Sequence, residues 1–132
     1  MMQLLQQDTE SFLARFDSFN DGLFRKVEII YEKERPVRSM SVWIDARDYN
    51  EKKDVWVRIH LLILRVGDYC VSDREKETNV VLSNGMHILW SGGHVGVDFG
   101  HFADQPESLN ELRSSPVFVI GESLEWRMVP ID

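Results

Sequence analysis

The antiparallel fold class is decided by the stretch MHILWSGGHVGVDF, which spans residues 86–99. Apolar residues recur at every second position on both sides of Gly92-Gly93, and paired glycines supply the positive φ angles of a two-residue hairpin turn. Such a turn pairs Ser91 with His94 and gathers six apolar residues on one face: Met86, Ile88, Trp90, Val95, Val97 and Phe99. A three-residue loop would mix the faces. The sequence therefore predicts a tight antiparallel hairpin.

The same stretch raises the question of a metal site, because residues 87–101 contain three of the four histidines. The predicted register sets His87 opposite Asp98 and leaves His94 four residues from Asp98, about 13 Å along the strand. Side chains that far apart cannot share a zinc ion with bonds of about 2 Å. We therefore predict no metal and no cofactor. His87 and Asp98 are expected to form a cross-strand pair on a solvated or partly covered face, and a small-molecule or partner-binding role for His87, His94 and Asp98 stays open.

Three more strands are predicted upstream. Residues 55–66 carry the strongest strand pattern, and their second half is apolar on both faces, which is typical of a central strand covered on two sides. Two alternating segments precede it, with these residues expected on the buried side: Val27, Ile29, Tyr31, Met40, Val42, Ile44 and Ala46.

Two short helices complete the prediction. Asp8 or Thr9 can cap a helix that carries Phe12, Leu13 and Phe16 on one face, and Ser108 can cap a second helix that ends before Pro116. A last hairpin over residues 117–129, turning at Gly121-Glu122, would place Val119 opposite Leu124 and Val117 opposite Trp126. The whole chain, residues 1–132, is predicted to be one α+β domain with a single antiparallel sheet of six to eight strands, possibly strongly curved.

Charge and cysteine content restrict the class of partner and the compartment. A net charge of −7 disfavours binding to nucleic acid or to anionic membranes and favours a basic protein partner. The single cysteine, Cys70, cannot form an internal disulfide, which is typical of a reducing compartment. The N-terminus lacks the basic and apolar regions of a signal peptide. We therefore expect a cytoplasmic protein; its oligomeric state is not determined by the sequence.

Catalytic motifs are weak. The segment Gly121-Glu122-Ser123-Leu124-Glu125 lacks the second glycine of a nucleophile elbow. Cys70 could act as a nucleophile with His60, but a free structural thiol is far commoner. Asp45 and Asp48 are more typical of a solvated acidic face than of an acid–base pair. No catalytic residue is assigned, and the sequence favours a non-enzyme.

Two tryptophans are candidate binding residues. Trp43 and Trp56 fall on the faces opposite the apolar rows of their strands. They either cover a second small core under the N-terminal helix or anchor a protein interface, where tryptophan is enriched. The charged loops at residues 48–54 and 72–79 are further candidate contact surfaces.

The segment Phe16-Asp17-Ser18-Phe19-Asn20-Asp21-Gly22 leads into the strand with Val27 and Ile29. It resembles the opening of small bacterial immunity-protein-like domains of polymorphic toxin systems, and the later layout up to Glu125-Trp126-Arg127 is similar. The resemblance implies a cytosolic, non-catalytic, toxin-neutralising protein. Asn20 stands where a histidine is common in that opening, so no toxin-contacting residue is carried over. The alternatives are a small enzyme or ligand-binding protein that uses the His87/Asp98 face, and a regulatory or structural subunit.

Overall fold

A computed structural model describes residues 1–33, 37–50, 55–73 and 80–131. Within these ranges the chain forms two antiparallel sheets, so the predicted single sheet is wrong, whereas the strand-rich α+β class and the N-terminal helix are confirmed. The elements are β1 (Met2–Leu4), α1 (Thr9–Arg15), β2 (Gly22–Tyr31), β3 (Arg38–Asp48), β4 (Val55–Leu64), β5 (Asp68–Val71), β6 (Val81–Leu82), β7 (Met86–Ser91), β8 (His94–Phe99), α2 (Leu109–Leu112), β9 (Val117–Gly121) and β10 (Ser123–Val129).

The strand order explains the two sheets. A six-stranded sheet runs β1-β10-β4-β3-β2-β6, and a four-stranded sheet runs β5-β9-β8-β7. The β7–β8 hairpin has the predicted register, with Ser91 opposite His94 and His87 opposite Asp98. β4 is central in its sheet, between β10 and β3, as its apolar sequence predicts. The predicted cover on both sides is wrong, because Leu62 and Leu64 are only half-buried on its outward side.

The last predicted hairpin is wrong, because β9 and β10 belong to different sheets. Val119 pairs with Val97 of β8, whereas Leu124 pairs with Ile63 of β4. The chain crosses from one sheet to the other at Gly121, where an added Cβ would lie 2.6 Å from Cγ2 of Ile63 and 2.7 Å from the carbonyl oxygen of Leu64. Glycine therefore permits a crossing so close to β4 that no side chain fits.

The two sheets enclose a shared core between their inner faces. Residues from both sheets belong to one buried cluster, which includes Met40, Val42, Ile44, Ile59, Leu61, Ile63, Ile88, Val95, Val97, Val119, Leu124 and Trp126. α1 closes one side of this core, since the rings of Phe12 and Phe16 lie 5.0 and 5.7 Å from the ring of Trp126. The alternating apolar residues of β3 and β4 thus face the core as predicted.

Several local predictions differ from the structure in detail. Asp8 is the N-cap residue of α1, but no side-chain hydrogen bond caps this helix, whereas the Ser108 hydroxyl accepts a hydrogen bond from Glu111 N at the start of α2 as predicted. β2 contains a bulge between Phe24 and Lys26, which keeps Phe24 inside and turns Lys26 outward. Tyr31 is 64% exposed rather than buried, at the end of β2. Much of the predicted charged loops (residues 51–54 and 74–79) lies outside the described residues.

Candidate functional site

The outer faces of the two sheets are covered differently. α2 packs on the outer face of the four-stranded sheet, where Leu112, Phe118 and Ile120 form a second small cluster. In the described part of the chain, both helices pack away from the outer face of the six-stranded sheet: α1 lies against the inward-facing Trp126 and α2 against β8. This outer face consists of the side chains opposite the core on β2, β3, β4 and β10. It is the candidate functional site.

A buried histidine lies at the centre of the outer face. His60 is only 7% exposed, and its ring nitrogens contact two neighbouring strands: Nδ1 lies 3.1 Å from Nε of Arg127 and Nε2 lies 2.9 Å from Oγ of Ser41. An arginine N–H can only donate, so Nδ1 must be the acceptor and the ring proton must be on Nε2, which donates to Ser41. Burial lowers the pKa of His60 most, and the positive charge of Arg127 lowers it further. The ring is therefore held neutral in one tautomer.

This arrangement does not make Ser41 a nucleophile. A serine is activated when an unprotonated ring nitrogen accepts its proton, usually with a carboxylate on the other nitrogen. Here the nitrogen beside Ser41 carries the proton, and the group on the other nitrogen is a cation. The Ser41–His60–Arg127 network consequently orders the surface and does not prepare acyl-transfer chemistry.

Trp43 and Trp56 lie on the same face as the Ser41–His60–Arg127 network. The Trp43 ring stacks on His60 at 4.3 Å with an angle of 8° between the planes, and Nζ of Lys26 lies 4.6 Å from the centre of the Trp43 ring. Trp56 is 38% exposed, and the guanidinium of Arg47 lies 5.3 Å from its ring. Because α1 packs on the opposite face of the sheet, the expected small core under the N-terminal helix is wrong for both tryptophans. Their position on a face that neither helix of the described chain covers agrees with the interface alternative.

The two aspartates of β3 face opposite sides of the sheet. Asp45, on the outer face, accepts two hydrogen bonds from Arg58 at 2.7 and 3.1 Å. Asp48 accepts two from Arg15 of α1, and these hydrogen bonds lower the pKa of its carboxyl. The predicted solvated acidic face is therefore wrong: both carboxylates are buried in arginine pairs, and they do not form an acid–base pair.

The His87/Asp98 pair lies elsewhere, on the covered outer face of the four-stranded sheet. Nδ1 of His87 is 3.3 Å from Oδ2 of Asp98, which also accepts from Phe102 N. Asp98 is 0% exposed, and neither residue lines any of the five clefts described on the surface. His94 is exposed at the hairpin turn. The Asp98 carboxylate is therefore buried beneath the described residues.

The described residues also do not form the Cys70/His60 pair or a metal site. Cys70 packs in the second cluster of the four-stranded sheet, so the structure does not bring it together with His60. Within the described ranges, no group of three or more His, Cys, Asp or Glu side chains is placed to hold a metal ion. No helix there is long and apolar enough to cross a membrane.

Comparison with known proteins gives no further assignment. No protein-family model, curated protein or solved structure matches the chain.

Sequence reasoning missed the central residues of the outer face. The sequence offers His60 only as a possible partner of Cys70 and indicates no role for Ser41 or for the Arg127 side chain. The alternation places each of them on the polar side of its strand, which was the available signal. Their meeting depends on the pairing of β4 with β3 and with β10, and Arg127 of β10 is 67 positions from His60.

Acidification is expected to destabilise the protein through His60. Its pKa is lowered in the folded state from 6.5, so the unfolded chain takes up the proton first and stability falls as the pH drops through that value. The wild-type melting temperature should therefore fall more steeply than that of His60→Gln between about pH 7.5 and about pH 5. His94→Gln, which changes an exposed ring outside the network, should retain the wild-type dependence. Equal slopes for wild type and His60→Gln would contradict the assignment.

Proposed function

We propose that this chain is a non-catalytic protein-binding domain, specifically an immunity protein that neutralises a toxin by binding it. The observation that carries the proposal is the outer face of the six-stranded sheet, which neither helix of the described chain covers. It presents a stacked Trp43, an exposed Trp56 and the hydrogen-bonded His60 network. An ordered aromatic surface that nothing in the described chain covers is typical of an interface, where tryptophan and arginine dominate the binding energy. The specific role as an immunity protein draws on the resemblance of residues 16–22.

The absence of prepared chemistry in the described residues agrees with a binding role. The tautomer of His60 opposes activation of Ser41, and the Asp98 carboxylate is covered. The net charge of −7 would attract a basic toxin over a distance of about one Debye length. The charge thus favours rapid encounter, while the tryptophans supply affinity.

A capture experiment tests the proposal. The tagged chain is used to purify partners from an extract of the native cell, and association is then measured across salt concentrations. We expect one stoichiometric protein partner with a basic isoelectric point, and an association rate that falls about tenfold between about 20 mM and about 200 mM salt. A chain that binds only an acidic protein or a small metabolite would refute the immunity role.

A tryptophan substitution gives the matched comparison. Trp56→Ala should weaken binding by about thirtyfold or more, as expected for an anchor worth about 2 kcal/mol. Tyr49→Ala also removes a half-exposed aromatic ring, but Tyr49 N donates to Arg15 O of α1, away from the outer face. This control should change affinity by less than about threefold. Equal effects of the two substitutions would place the interface elsewhere.

A further inference from the structure

The outer face carries a charge opposite to that of the whole chain. Its cationic side chains are Arg25, Lys26, Arg47, Arg58 and Arg127, and its acidic side chains are Glu28, Asp45 and Glu125. Five cations against three carboxylates leave an excess of two positive charges, on a chain whose net charge is −7. Most acidic residues of the described ranges therefore lie away from this face.

Two of these cations are not neutralised by a carboxylate of the described chain. Arg127 donates to the neutral ring of His60, and Arg47 lies over the ring of Trp56. By contrast, Arg58 is paired with Asp45, Arg65 with Glu122 at the cleft beside Ser39 and Leu64, and Arg113 with Asp68. Both Arg47 and Arg127 are exposed and held beside ordered rings. They are therefore positioned donors for an incoming anion.

The cations also have a defined spacing. Arg127, His60, Trp43 and Lys26 are direct neighbours across β10, β4, β3 and β2. Three strand spacings of about 4.8 Å separate the end cations of this row by about 14 Å. In an extended chain, carboxylates four residues apart are separated by about 13 Å. The row thus matches an extended segment with acidic residues at i and i+4 that crosses the Trp43 ring. At the Lys26 end the incoming carboxylate would exchange with that of Glu28, which lies 3.6 Å from Nζ of Lys26.

We infer that the outer face of the six-stranded sheet receives acidic side chains of the protein partner, with Arg47 and Arg127 as their principal counter-charges. This inference rests on the proposed protein-binding function and names the chemistry of its contact. A partner that is basic overall is attracted by the negative net charge of this chain. If the same partner presents acidic side chains at the contact, these pair with the arginines of the outer face. Long-range charge sets the rate of encounter, and local pairs set the orientation.

A peptide titration tests the inference directly. The ¹⁵N-labelled full chain is titrated at about 20 mM salt, where charge pairs are least screened, with a deca-glutamate peptide and separately with a deca-lysine peptide. Deca-glutamate is expected to shift the indole N–H signals of Trp43 and Trp56 and the Nε–H signal of Arg127. Deca-lysine should shift other residues. Deca-glutamate shifts centred away from these three groups, or none at all, would overturn the inference.

A charge-matched pair of double variants identifies the residues. Arg47→Gln with Arg127→Gln should weaken deca-glutamate binding about tenfold. Arg65→Gln with Arg113→Gln removes the same charge from two arginines that are already paired with carboxylates and lie outside the row from Arg127 to Lys26, and it should change binding less than about twofold. Arg127→Lys keeps the charge and should stay within about threefold of the wild type. Equal losses in the two double variants would refute the inference, because only net charge would then matter.

The same variants separate this inference from the proposed function. If a captured partner binds the Arg47/Arg127 double variant as tightly as the wild type, the acidic contact is wrong and the protein-binding function stands. If no protein partner is captured but deca-glutamate binds at Trp43 and Arg127, the proposed function fails and the acidic-chain site stands.

Discussion

Gly121→Ala is expected to lower the free energy of unfolding by about 3 kcal/mol, the upper end of the cost of overpacking a core. An added Cβ would lie 2.6 Å from Cγ2 of Ile63 and 2.7 Å from the carbonyl oxygen of Leu64. One of these atoms is backbone in a central strand, so the clash cannot be relieved by rotating a side chain. Denaturation by urea, followed by far-UV circular dichroism, measures the loss.

Gly67→Ala is the matched control for this substitution. A Cβ at Gly67 would have no neighbour within 4 Å, and its backbone does not adopt a positive φ. The control should therefore raise the free energy of unfolding, by no more than about 1 kcal/mol, because alanine lowers the conformational entropy of the unfolded chain. If Gly121→Ala behaved like Gly67→Ala, the chain would not pass against β4, and a β9–β10 hairpin would again be the better description.

The contrast between the two predicted hairpins shows which part of the fold is local. At Gly92-Gly93 the turn and both apolar rows lie within one short segment, so the sequence determines the register. At Gly121-Glu122 the alternation on each side is equally satisfied by a turn within one sheet or by a crossing between two sheets. The choice depends on Ile63 and Val97, which pair with Leu124 and Val119 from far away in the sequence. A single sequence does not reveal such pairings.

The candidate site also has a part that the local sequence predicts and a part that depends on long-range contacts. Alternation alone correctly placed Trp43 and Trp56 opposite the apolar rows of their strands. It did not reveal whether α1 covers that face, because the packing side of a helix depends on tertiary contacts such as those of Phe12 with Trp126. The His60–Arg127 hydrogen bond joins residues 67 positions apart. This hydrogen bond depends on the β4–β10 register, which sets Arg127 opposite His60.

Trp126→Ala is expected to lower the free energy of unfolding by about 4 kcal/mol, within the range for removing a buried large aromatic ring. Trp126 is 9% exposed and joins three elements: it pairs with Leu61 and Met2 across the sheet, and its ring contacts Phe12 and Phe16 of the α1 region. Without the indole, the helix loses its main contact with β10. Amide hydrogen exchange should therefore accelerate first in α1.

Two control variants test whether the loss in Trp126→Ala comes from the contact of the buried indole with α1. Trp126→Phe keeps an aromatic ring against α1 and should cost less than about half of the alanine loss. Trp56→Ala removes an indole that is 38% exposed on the outer face and should change stability by only about 0.5 kcal/mol. Because Trp126 faces the core while its neighbour Arg127 faces outward, the folded fraction of Trp126→Ala should still bind deca-glutamate with nearly wild-type affinity. A stability loss below about 1 kcal/mol in Trp126→Ala would contradict the packing of α1 on the inner face.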